Sequence, residues 1–127
     1  PKNNTMLIQD LSKPSTALGW NYQERKSFHQ RFKTDSFLAL ALVHHLRFTA
    51  NIPTDYFVRN FAENHRAGII EYVGLGDSMV KHLLRSRPTF DTSDYTAERF
   101  IEIVRQYFTV EEVVSVSAER QLIRVKR

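Results

Sequence analysis

Cysteine is absent from the 127-residue chain, which excludes a disulfide scaffold and any thiolate metal site and is compatible with a cytoplasmic setting. Long hydrophobic runs are missing as well. The most extended, Phe37 to Val43, is seven residues, where a bilayer-spanning helix needs about 20. The polar N-terminus carries no secretory signal pattern, so no membrane partner is expected. Glycine is scarce, at 4 residues. The one stretch that suggests a phosphate cradle, Gly74-Leu75-Gly76-Asp77-Ser78, lacks both the third glycine of the dinucleotide fingerprint and the Gly-Lys-Ser/Thr ending of a P-loop. No internal repeat or low-complexity segment occurs. An acidic excess is also lacking: the net charge is +4, concentrated in Arg25 to Lys33 and Arg120 to Arg127. The aromatics are not interleaved with these basic residues as a nucleic-acid stacking platform requires, so a solvated surface is the favoured reading of the charge. A nucleic-acid role is the minor alternative.

What remains is one ordinary α/β domain's worth of sequence, with 42% hydrophobic and 25% charged residues, enough for a core with little to spare. Its centre is Asp35 to Leu46, where the apolar run Phe37 to Val43 leads into His44 and His45. Unbroken apolarity predicts a strand covered on both faces, as in a parallel sheet flanked by helices. Leu and Ala leave a helix open as the alternative. In open parallel sheets ligands sit outside the carboxyl ends of the strands, which would place both imidazoles at a functional rim.

In chain order, Met6 to Ile8 reads as a short strand and Ser12 to Ser15 as a turn. Asp10 stands at that strand's carboxyl end, as a ligand acceptor or, more simply, bonded to its own turn. Trp20 could stack over an aromatic ligand or serve only in packing. Tyr22 to Arg31 reads as a short amphipathic helix. Pro53 opens a second, with Tyr56, Phe57, Phe61 and Ala62 as its apolar stripe. Ala67 to Val73 is the next strand, in which Gly68 permits close approach. Glu71, a carboxylate among apolar neighbours, needs a structural hydrogen bond or a substrate. Asp77 or Ser78 caps a helix from Met79 to Arg87, and Thr96 caps a stronger one carrying Phe100, Ile101, Val104, Tyr107 and Phe108. The β-branched Val110 to Ser117 and the run Leu122 to Val125 are too closely joined to be parallel, so they form an antiparallel pair.

The run Phe37 to Leu46 resembles the fourth-strand motif of class I S-adenosylmethionine-dependent methyltransferases, many of which carry a similar Leu-His-His-Leu ending. The closing antiparallel pair after two helices is also that family's terminal signature. More narrowly, Gln9 to Ser15, Ala39 to Leu46, Ile69 to Val73 with Asp77 to Val80, and Asp94 to Thr96 resemble bacterial methyltransferases related to a nodulation protein.

The resemblance implies half of a Rossmann-like methyltransferase sheet: parallel strands with flanking helices, ending in an antiparallel strand pair. It implies that Asp10 and Leu11 contact the adenine of S-adenosylmethionine and that Ala41, Leu42 and Val43 lie beside its methyl-donating sulfur. His44 or His45 would face a small-molecule methyl acceptor as a general base. Glu71 and Trp20 stand as candidate substrate contacts. The family's glycine-rich first strand and second-strand acid do not precede Met6, so the expectation is a C-terminal half that binds the cofactor weakly and is inactive alone. With that half missing, the apolar edge at Phe37 to Val43 is expected to drive homo-oligomerisation. Two adjacent histidines without a third spaced ligand make a poor zinc site, so no metal is expected. A noncatalytic α/β interaction or assembly domain, or a basic nucleic-acid-binding domain, are the alternatives.

Overall fold

A computed structural model describes residues 4–127. The chain divides into two compact units, Pro1–Phe32 and Lys33–Arg127.

In the first unit, regular structure is sparse. Met6 to Ile8 forms no strand, correcting the expectation from its apolarity, and all three side chains are exposed. An isolated bridge joins Leu18 to Arg25 around a single 3-10 turn, Trp20–Tyr22. In place of a helix over Tyr22 to Arg31 there is one turn, α1 (Phe28–Arg31), closed by a reciprocal capping box between Ser27 and Gln30. Four residues are too few to bury an amphipathic stripe, and none of α1 is buried.

The second unit is a mixed α/β layer. Its strands are β1 (Thr34–Ala39), β2 (His65–Val73), β3 (Thr109–Ser117) and β4 (Arg120–Lys126). They form one sheet in the order β1-β2-β4-β3. β1 and β2 run parallel, with Leu38 opposite Ile69 and Ala39 opposite Ile70. β4 runs antiparallel to β2 on one side and to β3 on the other. The parallel pair is joined by a π-helical turn (His45–Thr49) and α2 (Thr54–Asn64). α3 (Ser78–Leu84) and α4 (Ala97–Tyr107) occupy the connection from β2 to β3.

Sequence chemistry accounts for these elements. Thr96 Oγ1 accepts from the Arg99 amide at 3.2 Å and starts α4, an N-cap worth about 1 kcal/mol. Phe100, Ile103 and Val104 then recur at helical spacing and are buried. Phe57, Val58, Phe61 and Ala62 do the same for α2, whereas Tyr56 is exposed and leaves the expected stripe. The core sits against one face of the sheet, where Ile70, Ile123 and Val125 have no exposed surface. The rings of Tyr72, Tyr95 and Phe100 pack there with centroids 5.1–5.5 Å apart. Gly68 admits the Phe37 ring, which occupies the space a Cβ would need.

The run Phe37 to Val43 is not one strand covered on both faces. β1 ends at Ala39 and lies at the sheet's edge. Its Leu38 side chain is 69% exposed, and Leu40 is also exposed. Apolar composition marked the segment but could not separate strand from turn from helix start, since Leu, Ala and Val are compatible with all three. Among the described residues no helix is long and apolar enough to cross a membrane.

Candidate functional site

Several titratable side chains meet at the carboxyl ends of the parallel strands. After Ala39 the chain turns sharply through Ala41, whose φ of 50° lies in the left-handed region that a side chain disfavours. The turn is held from outside: Glu71 Oε2 accepts a hydrogen bond from the Ala41 amide at 2.7 Å. Glu71 Oε1 accepts from Arg120 at 3.1 Å, and the same guanidinium contacts Asp77 Oδ2 at 3.3 Å. Asp77 in turn caps α3, accepting from the Met79 amide at 2.9 Å. Both carboxylate side chains are only 12% exposed. For Asp77, burial acts to raise the pKa, but the Met79 amide and the Arg120 charge outweigh it and hold the carboxyl below its usual range. Arg120 is driven further toward its charged form, chiefly by Glu71.

The turn delivers His44 to the position just before the π-helical segment and His45 to its first residue, not onto a strand end. Their ring centroids are 4.2 Å apart, yet their surroundings differ. His44 is 2% exposed and its Nδ1 has no hydrogen-bond partner. Burial, reinforced by the charges of His45 and Arg120 and opposed by Asp77 and Glu71, pushes its pKa down to about 4. It is therefore neutral near pH 7 and too weak a base to draw a proton from an ordinary hydroxyl. His45 is exposed, with Nδ1 3.4 Å from Thr49 Oγ1. The pair thus consists of one interior ring and one presented ring.

The structure brings Ala41, His44, His45 and Glu71 into one neighbourhood. Leu42 is half-buried beside them, and Val43 is sealed in the core. Asp10, Leu11 and Trp20 belong to the first unit. Asp10 folds onto its own turn, where Oδ1 accepts from the Ser12 amide at 2.9 Å and the Ser12 hydroxyl at 2.6 Å. These bonds hold its carboxyl below the usual range. Leu11 and Trp20 are exposed, Trp20 at 82%. Glu71 has a structural role in the turn, whatever else it contacts. Arg120 was not singled out from the sequence. The signal that could have found it is register: it pairs with Val73 across β2 and β4, two positions from Glu71.

Two other features bear on chemistry. The Gly74 to Gly76 loop is filled by the chain itself: the Gly74 amide donates to the Glu119 carbonyl at 2.6 Å, and the Gly76 amide to Glu119 Oε2 at 3.1 Å. Both glycine amides are therefore engaged by Glu119, one by its backbone carbonyl and one by its carboxylate. Beyond the rim, Arg47 donates through Nε to both oxygens of Asp94 at 3.0 Å, and Asp94 also accepts from the Thr54 amide at 3.0 Å. This partly buried pair fixes the π-helical segment and the start of α2. Burial acts to raise the Asp94 pKa, but the Thr54 amide and Arg47 prevail and hold it below the usual range. Among the described residues no group of three or more His, Cys, Asp or Glu side chains is placed to hold a metal ion.

Of the residues that the resemblance assigns to S-adenosylmethionine, Asp10 turns its carboxylate onto Ser12 and Val43 has no exposed surface.

No family model matches the chain, and no solved structure matches it. It is 37% identical over 105 residues to the nodulation protein NoeA of Rhizobium meliloti (strain 1021). The alignment covers 83% of this chain and 22% of that protein. The chain is thus related to a nodulation protein and spans about a fifth of its length.

Proposed function

We infer that this chain forms the acceptor-side half of a class I S-adenosylmethionine-dependent methyltransferase whose cofactor-binding half lies elsewhere in a longer polypeptide. The observation that carries this reading is the sheet: a parallel β1–β2 pair with the two histidines just beyond its carboxyl edge, closed by an antiparallel β4–β3 pair. That is the terminal arrangement implied by the methyltransferase resemblance. β1, with an exposed Leu38, is open on the side where the remaining strands would add. Similarity to about a fifth of a nodulation protein is compatible with a part of a larger enzyme.

On this reading, the chain's own contribution is to orient the acceptor and remove its proton. His45 is the group for that step, because its ring is exposed while His44 is buried and held neutral. Removing a positioned general base lowers turnover by about 10²–10⁴-fold. In the longer polypeptide, His45→Ala should therefore reduce release of S-adenosylhomocysteine in the presence of small-molecule acceptor fractions by at least that lower factor. His44→Phe should act through stability. Unaltered turnover in His45→Ala would remove His45 from the site. With Asp10 bonded to Ser12 and Val43 sealed in the core, the 127-residue chain on this reading is inactive alone, and its open β1 edge favours self-association in isolation.

A further inference from the structure

At the carboxyl rim one guanidinium stands between two carboxylates, and each of these three side chains is anchored in a different rim segment. Glu71 belongs to β2 and accepts from the Ala41 amide in the turn after β1 at 2.7 Å. Asp77 starts α3. Arg120 is the first residue of β4, just past the terminal hairpin turn, and reaches Glu71 at 3.1 Å and Asp77 at 3.3 Å.

Ala41 is the strained point of this arrangement. A non-glycine residue at positive φ persists only where its surroundings over-determine it, and the acceptor for its amide comes from 30 residues away. The direction of that turn decides where the next residues go. Those residues are the buried His44 and the exposed His45, whose rings lie 4.2 Å apart.

We propose that Arg120 is the positioning residue of the rim: by holding Glu71 on the Ala41 amide and tying both to Asp77, it fixes the orientation in which His45 is presented. Arginine suits this task because its planar fork engages two carboxylates at once, whereas a lysine is a single point charge on a flexible stem. The purpose of the device rests on the acceptor-side reading above. The device itself can be measured without cofactor or acceptor.

The test uses the 127-residue chain, labelled with ¹⁵N and with ¹³C in the histidine rings. Arg120→Lys is expected to speed amide exchange at Ala41 at least tenfold and to broaden or double the His45 ring signals. The Ile70 amide, in the middle of β2, should keep its wild-type rate. Glu71→Gln retains an oxygen for the Ala41 amide but gives up the ion pair, and is expected to show a smaller rise with the same pattern. Unchanged Ala41 exchange and unchanged His45 signals in both variants would overturn the proposal. So would acceleration of Ala41 and Ile70 by one common factor, which is the mark of a general loss of stability. A failure of the methyltransferase reading moves none of these signals, so the two ideas stand or fall separately.

Discussion

Burying His44 in the interior should leave a measurable pH signature on folding. The side chain is 2% exposed and its pKa falls to about 4, mainly through burial, against about 6.5 in an unfolded chain. Because the folded-state value is the lower one, the unfolded chain takes up the proton first as pH drops. The contribution of His44 to stability is therefore constant above about pH 6.5, declines between there and about pH 4, and levels off below. One pKa unit corresponds to about 1.4 kcal/mol, so the full loss across that window is about 3 kcal/mol. The perturbation is His44→Phe, which keeps an aromatic ring in the interior and removes the proton. The assay is urea denaturation of both chains at intervals from pH 7 to pH 4, comparing the difference in unfolding free energy at each pH. Carboxylates such as Asp77 and Asp94 titrate in both chains and largely cancel in that difference. The variant should gain about 3 kcal/mol on the wild type on going from pH 7 to pH 4, whatever their offset at neutral pH. A difference that stays flat across the window would refute the placement of a neutral His44 in the interior.

Three further perturbations probe other parts of the account. Asp94→Ala leaves Arg47, whose side chain is 10% exposed, without its carboxylate and frees the Thr54 amide. Leaving these part-buried donors short of an acceptor costs about 1–3 kcal/mol, which equilibrium denaturation would register. Gly68→Ala drives a Cβ into the Phe37 ring, and overpacking of this kind costs about 1–3 kcal/mol. A melting temperature equal to wild type would contradict that packing. Leu38→Lys places a charge on the open edge of β1, so light scattering coupled to size-exclusion chromatography should show the wild-type chain associated and the variant monomeric. A wild-type chain that is monomeric when dilute would count against self-association.

Local chemistry made much of the second unit legible. Thr96 caps α4 as expected, and of the two candidates Asp77 and Ser78 it is Asp77 that caps α3. Phe57 and Phe61, and Phe100 and Val104, recur at helical intervals and are buried. The β-branched C-terminal run, too tightly linked to return in parallel, forms the antiparallel β3–β4 pair. The errors arose where the deciding contact is distant in sequence or where composition is ambiguous. Phe37 to Val43 is apolar throughout, yet it comprises part of an edge strand, a left-handed turn and a helix start. The turn is set by Glu71, 30 residues downstream. Met6 to Ile8 has strand-like composition but forms no strand. At the rim, Glu71 was identifiable as a carboxylate needing a partner, but Arg120 lies 49 residues from it and meets it only through the β2–β4 register. The sequence left open which histidine faces an acceptor, because exposure is set by how the turn after β1 packs: His44 is interior and His45 exposed.

The methyltransferase proposal has this rim serve a cofactor held by another part of a longer polypeptide. Calorimetric titration of S-adenosylmethionine tests it most directly, run on the 127-residue chain and on the complete polypeptide encoded in frame with it. Saturable one-to-one binding to the complete polypeptide and none to the 127-residue chain is the expected result. No binding to the complete polypeptide, or saturable binding to the short chain alone, would contradict it.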